Sequence, residues 1–196
     1  MTDELDESRR RFLGIATAAT GAVGGAMLLV PFLGSLQPSA RAQALGAPVE
    51  VNIANLEAGQ MVAKQWRGRT VYVVRRDADM LERIKQMEGL ISDPTSDAST
   101  QPEYAKNEYR SLKPEVLVVF GQCTHLGCAP GQRFDVKPED LGDEWLGGFF
   151  CACHGSKFDM AGRVFAGVPA PINLEVPPYR FIGESIIEIG TDTGAA

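Results

Sequence analysis

CTHLGC at residues 123–128 and CACHGS at residues 151–156 are the stretches that decide the fold. We call them the first loop and the second loop. The chain has four cysteines and two histidines, and all of them lie in these two loops. Structural cysteines and surface histidines would be scattered along the chain instead. Because thiolates and imidazoles are ligands of soft and borderline metals, the two loops predict a metal site.

The spacing within the loops leaves two kinds of metal site open. A zinc site with two thiolates and two imidazoles would leave two cysteines unexplained. It also usually has C-x₂₋₄-C paired with H-x₃₋₅-H, whereas each loop here mixes the two ligand types, C-x-H and then C-x₂-H. Two metals side by side accept this pattern more readily, because each loop can give one ligand to each metal.

The composition is that of an ordinary globular protein. Of the 196 residues, 44% are apolar and 22% are charged, which excludes collagen-like, coiled-coil and wholly disordered chains. The 19 basic and 25 acidic side chains give a formal charge of −6. This acidic balance, without a cluster of Lys and Arg, argues against nucleic-acid binding.

The N-terminal part of the chain predicts a membrane anchor. Three arginines at positions 9–11 precede a run, residues 12–40, that has no Asp, Glu, Lys, Arg or His. About 20 helical residues cross the hydrocarbon core, so residues 12–36 can span a membrane, and Pro31 is expected to kink or end the segment. The positive-inside rule leaves residues 1–11 in the cytoplasm and exports the rest.

This segment also resembles an export signal. SRRRFL at residues 8–13 resembles the bacterial twin-arginine signal. The alternative is a signal peptide that is removed, because AQA at residues 42–44 has the pattern of a cleavage site. The apolar run is longer than the about 7–15 residues of such a signal, which favours a retained anchor. In both cases the body faces an oxidising compartment, where a disulfide persists.

The rest of the chain predicts a tether and a mainly-β body. Residues 37–48 are small, polar and interrupted by two prolines, which is typical of a flexible tether. Residues 49–196 form the body. Its clearest strand patterns lie at residues 49–53, 70–74, 115–120 and 185–189. One helix is predicted after Asp77, a candidate N-cap. Many short strands and one modest helix indicate an antiparallel, mainly-β domain.

The two loops resemble those of the Rieske iron–sulfur proteins, in which one iron of a [2Fe–2S] cluster has two Cys ligands and the other has two His ligands. The resemblance extends to the twin-arginine start, the anchor and the tether. It also includes WRG at residues 66–68 and PAPINLEVP at residues 169–177. The chain is similar over essentially its whole length to the Rieske subunits of cytochrome bc1 complexes. An antiparallel Rieske-type domain is implied, with a small cluster-binding part at about residues 121–178.

The resemblance implies one [2Fe–2S] cluster and its ligands. Cys123 and Cys151 would hold the buried iron, and His125 and His154 would hold the outer iron. His154 is the ligand expected to meet quinol, with His125 also exposed near the tip. Each ring keeps a nitrogen that can hold a proton, so electron uptake and proton uptake would be coupled.

The resemblance also implies roles for further residues of the loops. Cys128 and Cys153 would form a disulfide that ties the loops together. Ser156 lies where the family has a hydroxyl donor to a bridging sulfide. Two positions later the family commonly has a tyrosine that donates to a cysteine sulfur, and this chain has Phe158. Because such hydrogen bonds raise the reduction potential, we expect a lower potential here than in tyrosine-bearing relatives.

Two features near the cluster have competing explanations. Pro169, Ala170 and Pro171 would form a loop that covers the cluster, although the proline spacing alone also permits an ordinary rigid turn. Leu126, between the ligands of the first loop, would give the tip an apolar docking surface, or would only pack within the loop. Neither pair of alternatives is resolved by the sequence.

The function implied is electron transfer from quinol to cytochrome c1 within a quinol–cytochrome c oxidoreductase. The partners would be cytochrome b and cytochrome c1 in a dimeric complex of the bacterial inner membrane, with the body on the periplasmic side. On its own the chain would be an electron carrier. Three alternatives remain: the Rieske subunit of another exported oxidoreductase such as arsenite oxidase, a ferredoxin serving a ring-hydroxylating oxygenase, and a structural zinc module.

Overall fold

The computed structural model describes residues 2–191. Residue 1 of the predicted N-terminal segment and residues 192–196 of the predicted body lie outside the described residues. The chain divides into two compact units, Met1–Ala44 and Leu45–Ala196.

The N-terminal unit is dominated by one long helix, α1 (Thr2–Gly34). Its segment Asp6–Gly34 is long and apolar enough to cross a membrane. The helix begins well before residue 12, so the charged residues form its first turns. It also continues past Pro31, so the proline does not end it. A proline removes only its own N–H, and the Pro31 carbonyl still accepts a hydrogen bond from Ser35 N–H at 2.9 Å.

A second helix, α2 (Ala40–Gly46), lies in the segment that the sequence indicated as a flexible tether. Ser39 begins it, because its hydroxyl accepts a hydrogen bond from Ala42 N–H at 3.2 Å. Alanine, glutamine and leucine then favour the helical conformation. A single serine before this short run was too weak a signal to outweigh the two prolines that flank it.

The described part of the second unit contains nine strands. They are β1 (Val49–Asn52), β2 (Met61–Trp66), β3 (Arg69–Arg75), β4 (Val116–Phe120), β5 (Gly131–Arg133), β6 (Gly148–Cys151), β7 (Ser156–Asp159), β8 (Tyr179–Ile182) and β9 (Ile186–Ile189). They form three antiparallel sheets with the orders β1-β9-β8, β2-β3-β4 and β5-β6-β7. The predicted mainly-β, antiparallel fold with one long apolar N-terminal helix is confirmed.

One helix, α3 (Ala78–Gln86), packs beside these sheets. Asp77 is its N-cap, and its carboxylate accepts a hydrogen bond from Met80 N–H at 2.7 Å, as the sequence predicted. Short 3₁₀ turns lie at Glu88–Leu90 and Glu103–Ala105. The helix buries Met80 and Ile84 against the body.

The hydrophobic core is built around strands β3 and β4 of the β2-β3-β4 sheet. Every residue of β4 is buried, and so are Val71, Tyr72, Val73 and Val74 of β3. A smaller apolar cluster, which includes Trp145 and Phe165, lies apart from the main core. Strand β4 leads directly into the first loop, and the second loop is the turn between β6 and β7. The core therefore fixes the start of the first loop, and a hairpin presents the second.

Candidate metal centre

The backbone bends sharply in both cysteine–histidine loops. In the first loop, the carbonyl oxygen of Cys123 accepts a hydrogen bond from Gly127 N–H at 2.8 Å. In the second, the carbonyl oxygen of Cys151 accepts one from Gly155 N–H at 2.9 Å. Both glycines have positive φ, +82° and +78°, which other residues rarely adopt. Each loop thus turns back on its first cysteine, and this bend brings cysteine and histidine to one side.

The first cysteine of each loop is a buried free thiol. Cys123 and Cys151 are 3% and 2% exposed and take part in no disulfide. Burial raises the pKa of the Cys151 thiol, and its hydrogen bond with the Cys123 thiol adds to this rise. Cysteine binds a metal as the thiolate, so a metal ion that binds here must displace the proton of the thiol.

The two histidines lie next to each other and are less buried than the two free thiols. Their ring centroids are 4.8 Å apart and the rings are nearly perpendicular. His154 is exposed and His125 is half-buried. The Nδ1 atom of His125 is buried and has no hydrogen-bond partner within the described residues. A buried polar atom without a partner is costly, so Nδ1 of His125 is suited to a ligand that the chain itself does not supply.

The other two cysteines join the loops to each other. Cys128 of the first loop and Cys153 of the second form a disulfide. The Sγ atom of Cys151 lies within 4.8 Å of the Sγ atoms of both. Because the disulfide sulfurs are not thiolates, two thiols and two imidazoles remain as donors, one of each from each loop. This donor set fits a [2Fe–2S] cluster with two Cys and two His ligands.

The segment that contains Pro169 and Pro171 lies against both loops. Ala170, which is 4% exposed, donates its N–H to the hydroxyl oxygen of the fully buried Ser156 at 3.1 Å. Thr124 of the first loop donates its hydroxyl to the carbonyl oxygen of Ile172 at 2.6 Å. The two prolines themselves are exposed. One hydrogen bond from each loop region therefore holds this segment beside the donor set.

Comparison with known proteins identifies the family. Residues 48–178 match the family described as "Rieske [2Fe-2S] domain". The chain is 50% identical, over 98% of its length and 93% of the relative, to the ubiquinol–cytochrome c reductase iron–sulfur subunit of Allochromatium vinosum. It is 40% identical to the corresponding subunit of Blastochloris viridis, over 96% of each chain. The chain belongs to the Rieske family. Its cofactor is accordingly a [2Fe–2S] cluster.

The N-terminal part of this Rieske protein has a match of its own. Residues 1–39 match the family described as "Ubiquitinol-cytochrome C reductase Fe-S subunit TAT signal". This match agrees with the twin-arginine signal predicted from residues 8–13. Together with the apolar helix at Asp6–Gly34, it fits a membrane-anchored protein.

Arg69 is a supporting residue of the Rieske domain that the sequence did not reveal. Its Nε donates to Oε1 of Gln122 at 2.6 Å, immediately before the first loop. Its Nη2 forms an ion pair with Oε2 of Glu175 at 2.7 Å, and Glu175 follows the proline segment. The guanidinium carbon also lies 3.4 Å from the centroid of the Phe120 ring. Arg69 therefore connects β3 to both segments that flank the donor set, and no pattern in the sequence marked it.

Three buried arginines fix the turn at residues 159–163, which follows β7. Arg163 forms a buried ion pair with Asp159 at 2.7 Å. Arg76 and Arg110 donate to backbone carbonyl oxygens of the same turn, at distances of 2.9 and 3.3 Å. Burial lowers the pKa of Arg76 and of Arg110 to about 10, so both stay charged at neutral pH. This network holds the far end of the β6–β7 hairpin that carries the second loop.

Proposed function

We propose that this chain is the electron-transfer subunit of a quinol–cytochrome c oxidoreductase, the cytochrome bc1 complex. The observation that carries the proposal is its 50% identity, over nearly the full length of both chains, to a ubiquinol–cytochrome c reductase iron–sulfur subunit. The substrates would be quinol and cytochrome c1. The partners would be cytochrome b and cytochrome c1 in a dimeric complex, in which the oxidoreductase activity resides.

The burial of the four side chains supports the proposed ligand roles. Cys123 and Cys151 would hold the inner iron, because their thiols are the buried donors. His125 and His154 would hold the outer iron, because the imidazoles lie closer to solvent. When bound, a Rieske cluster takes up and returns one electron.

The histidines would also accept and release protons. The buried Nδ1 of His125, which has no partner in the described part of the chain, is the nitrogen suited to iron, so Nε2 is left to hold a proton. His154 is exposed and would meet the quinol hydroxyl group. Such ring nitrogens can accept the protons that a hydroquinone must release on oxidation.

The surroundings of the histidines suit docking and the exclusion of water. Leu126 is 71% exposed, which favours an apolar docking surface over packing within the loop. Pro169, Ala170 and Pro171 would cover the cluster, and the hydrogen bond from Ala170 to Ser156 supports this position. The Ser156 hydroxyl accepts that bond, which leaves its own proton free to be donated to a cluster sulfide.

The proposal also includes the location of the chain in the membrane and the role of its tether. The helix Asp6–Gly34 would anchor the chain in the bacterial inner membrane, with residues 1–11 in the cytoplasm and the Rieske domain, residues 49–196, on the periplasmic side. Residues 37–48 would let the domain move between quinol and cytochrome c1. Stiffening this segment with further prolines should slow turnover and leave the cluster spectrum unchanged.

Purification of the chain from its native membranes tests the proposal. We expect it to copurify with b-type and c-type haem, to show a Rieske electron paramagnetic resonance signal after mild reduction, and to support quinol-dependent reduction of cytochrome c. Copurification without haem and arsenite-dependent reduction of the cluster would contradict it, and would favour the arsenite oxidase alternative.

Two matched variants test the docking surface within that complex. Leu126→Asp should lower quinol-dependent reduction of cytochrome c severalfold, while the cluster signal stays intact, because a charge would be buried on docking. Val136→Asp is the control, since Val136 is an exposed apolar residue, 47% accessible, outside both loops. Equal activity of the two variants would exclude a docking role for Leu126.

A further inference from the structure

The WRG motif at residues 66–68 has no role in the site described above, but its tryptophan contacts the end of the tether. Trp66 is the last residue of β2 and is 5% exposed. Its indole Nε1–H donates a hydrogen bond to the carbonyl oxygen of Ala47 at 3.1 Å. Ala47 lies at the end of residues 37–48. A buried side chain of the domain therefore holds the backbone of the tether at one defined point.

The indole ring is itself held in place by its neighbours. It stacks on Phe120, with ring centroids 6.0 Å apart and an interplanar angle of 23°. The guanidinium of Arg67 lies 4.5 Å from the ring centroid. Gly190 approaches so closely that a Cβ atom there would lie 2.7 Å from the indole nitrogen. Because its surroundings leave little room for movement, the ring can act as a fixed donor.

The chain between this hydrogen bond and the nearest sheet is short and stiff. Pro48 follows Ala47 directly, and its ring fixes its own φ and restricts the preceding residue to extended conformations. Val49 then enters β1 and pairs with Ile189 of β9. Trp66 belongs to a different sheet, β2-β3-β4. The tether thus joins the domain where the β1-β9-β8 and β2-β3-β4 sheets meet. The indole of one sheet bonds the chain that leads into the other.

We propose that Trp66 is a positioning residue that fixes the end of the moving tether at Ala47. The chain before Ala47 changes conformation as the domain moves, and the chain from Ala47 onward moves with the domain as one body. The inference rests on the proposed function of the tether. The same ring is connected to the cluster region, because Phe120 ends β4 shortly before the first loop and also contacts Arg69.

Trp66→Phe in the intact complex tests the proposal, since phenylalanine keeps an aromatic ring but lacks the indole N–H. Trp145→Phe is a matched control. Trp145 is also buried and stacked, on Phe165, and its indole N–H donates to the carbonyl oxygen of Arg133 at the same distance of 3.1 Å. The measurement is deuterium uptake by peptides that cover residues 45–52, followed by mass spectrometry.

In Trp66→Phe we expect hydrogen exchange in residues 45–52 to become about fivefold faster, as the loss of one hydrogen bond predicts. Exchange there should be unchanged in Trp145→Phe. Gly190→Ala is a second route to the same effect, because the added methyl group must displace the indole. Unchanged exchange in both Trp66→Phe and Gly190→Ala, or an equal rise in Trp145→Phe, would overturn the proposal.

Turnover separates this proposal from the function on which it rests. A longer free tether lowers the effective concentration of the domain at its partners, so quinol-dependent reduction of cytochrome c should fall about twofold in Trp66→Phe. The cluster signal should not change. Faster exchange with unaltered turnover would support the fixed point at Ala47 and would count against the moving tether of the proposed function.

Discussion

The two cysteine–histidine loops share a backbone bend but are held in different ways. The second loop closes the β6–β7 hairpin, in which Cys151 pairs with Ser156 across the turn. The first loop connects β4 to β5, two strands of different sheets. Its own backbone contributes a hydrogen bond from Cys123 N–H to the Cys128 carbonyl oxygen at 2.7 Å. Further support for the first loop comes from side chains.

This difference indicates which changes each loop can tolerate. The hairpin positions the second loop through regular ladder hydrogen bonds, which do not depend on side-chain identity. The first loop is positioned by the Thr124 hydroxyl, by Arg69 through Gln122, and by the disulfide to the second loop. We therefore expect side-chain substitutions to disturb the first loop more than the second, except at the donors themselves.

The largest effect is expected from the cysteines, whose two pairs should behave differently. Cys151→Ser should abolish the cluster, because a buried thiol is lost as a ligand. The double variant Cys128→Ser/Cys153→Ser should form the cluster but lower the free energy of unfolding by about 3.5 kcal/mol, the chain-entropy value for a disulfide that spans 25 residues. Iron content per chain and denaturant unfolding measure the two effects. Full iron content in Cys151→Ser would contradict the ligand assignment.

A smaller effect is expected at Thr124, the side-chain anchor of the first loop. Thr124→Val keeps the shape and removes the hydroxyl, so the Ile172 carbonyl loses its donor at a cost of about 1 kcal/mol. We expect the cluster to be lost about fivefold faster on heating, as followed by its visible absorbance. Thr95→Val is the control, because the Thr95 hydroxyl bonds the exposed carboxylate of Asp97. Equal rates of loss in both variants would argue against the anchor.

The cysteines and histidines that the structure brings together were predictable from the sequence, whereas their supports were not. Cysteine and histidine are rare in this chain and fall into two loops, so residue type and spacing were enough to select all six side chains, and the resemblance to the family divided the cysteines into two proposed ligands and a disulfide pair. Threonine and arginine are common. Thr124 bonds a residue 48 positions away, and Arg69 bonds one 53 positions away. Such partners become neighbours only through the fold, and no local pattern marks them.

The same limit applied to the secondary structure. Strands β1, β3, β4 and β9 coincide with the predicted β-branched or alternating runs. Strands β5, β6 and β7 are only three or four residues long, and no such pattern predicted them. The β6–β7 hairpin is held at one end by the second loop and at the other by the buried arginines that bond residues 159–163. Hydrophobic periodicity therefore found two strands in each of the other two sheets, and it missed β2, β8 and the whole sheet that carries the second loop.

A change of one hydroxyl in the second-loop hairpin should shift the reduction potential. Phe158 is fully buried in β7 and pairs with Phe149. In Phe158→Tyr we expect the midpoint potential to rise by up to about 60 mV, the one-electron equivalent of about 1.4 kcal/mol, because a hydroxyl would stabilise the more negative reduced state. Redox titration of the visible or paramagnetic signal measures this. A potential that did not rise would show that this hydroxyl is not what separates the chain from its tyrosine-bearing relatives.

The smallest effect is expected where the chain leaves the first loop, at the end of β5. Arg133 donates to both carboxylate oxygens of Asp140 at 2.7 Å, and this hydrogen bonding lowers the pKa of Asp140 below its ordinary value of 3.8. A carboxylate with a lowered pKa stabilises the fold above its unfolded pKa, and the contribution disappears as the pH falls through its folded pKa. Asp140→Asn should therefore be slightly less stable than the parent at pH 7, and the difference should disappear as the pH falls below the folded pKa of Asp140.

Because the pair is exposed, solvent screens it, and added salt should reduce the difference further. Thermal unfolding of the cluster-loaded chain at several pH values measures it. Asp143→Asn is the control, since Asp143 is an exposed carboxylate that forms no ion pair within residues 2–191. If Asp140→Asn and Asp143→Asn unfolded alike at every pH, the pair of Arg133 with Asp140 would not stabilise the chain beyond the first loop, and only the pair of Arg133 with Asp135 would remain there. The first loop would then be anchored by its own hydrogen bond from Cys123 N–H to the Cys128 carbonyl oxygen, by Thr124, by Arg69 and by the disulfide.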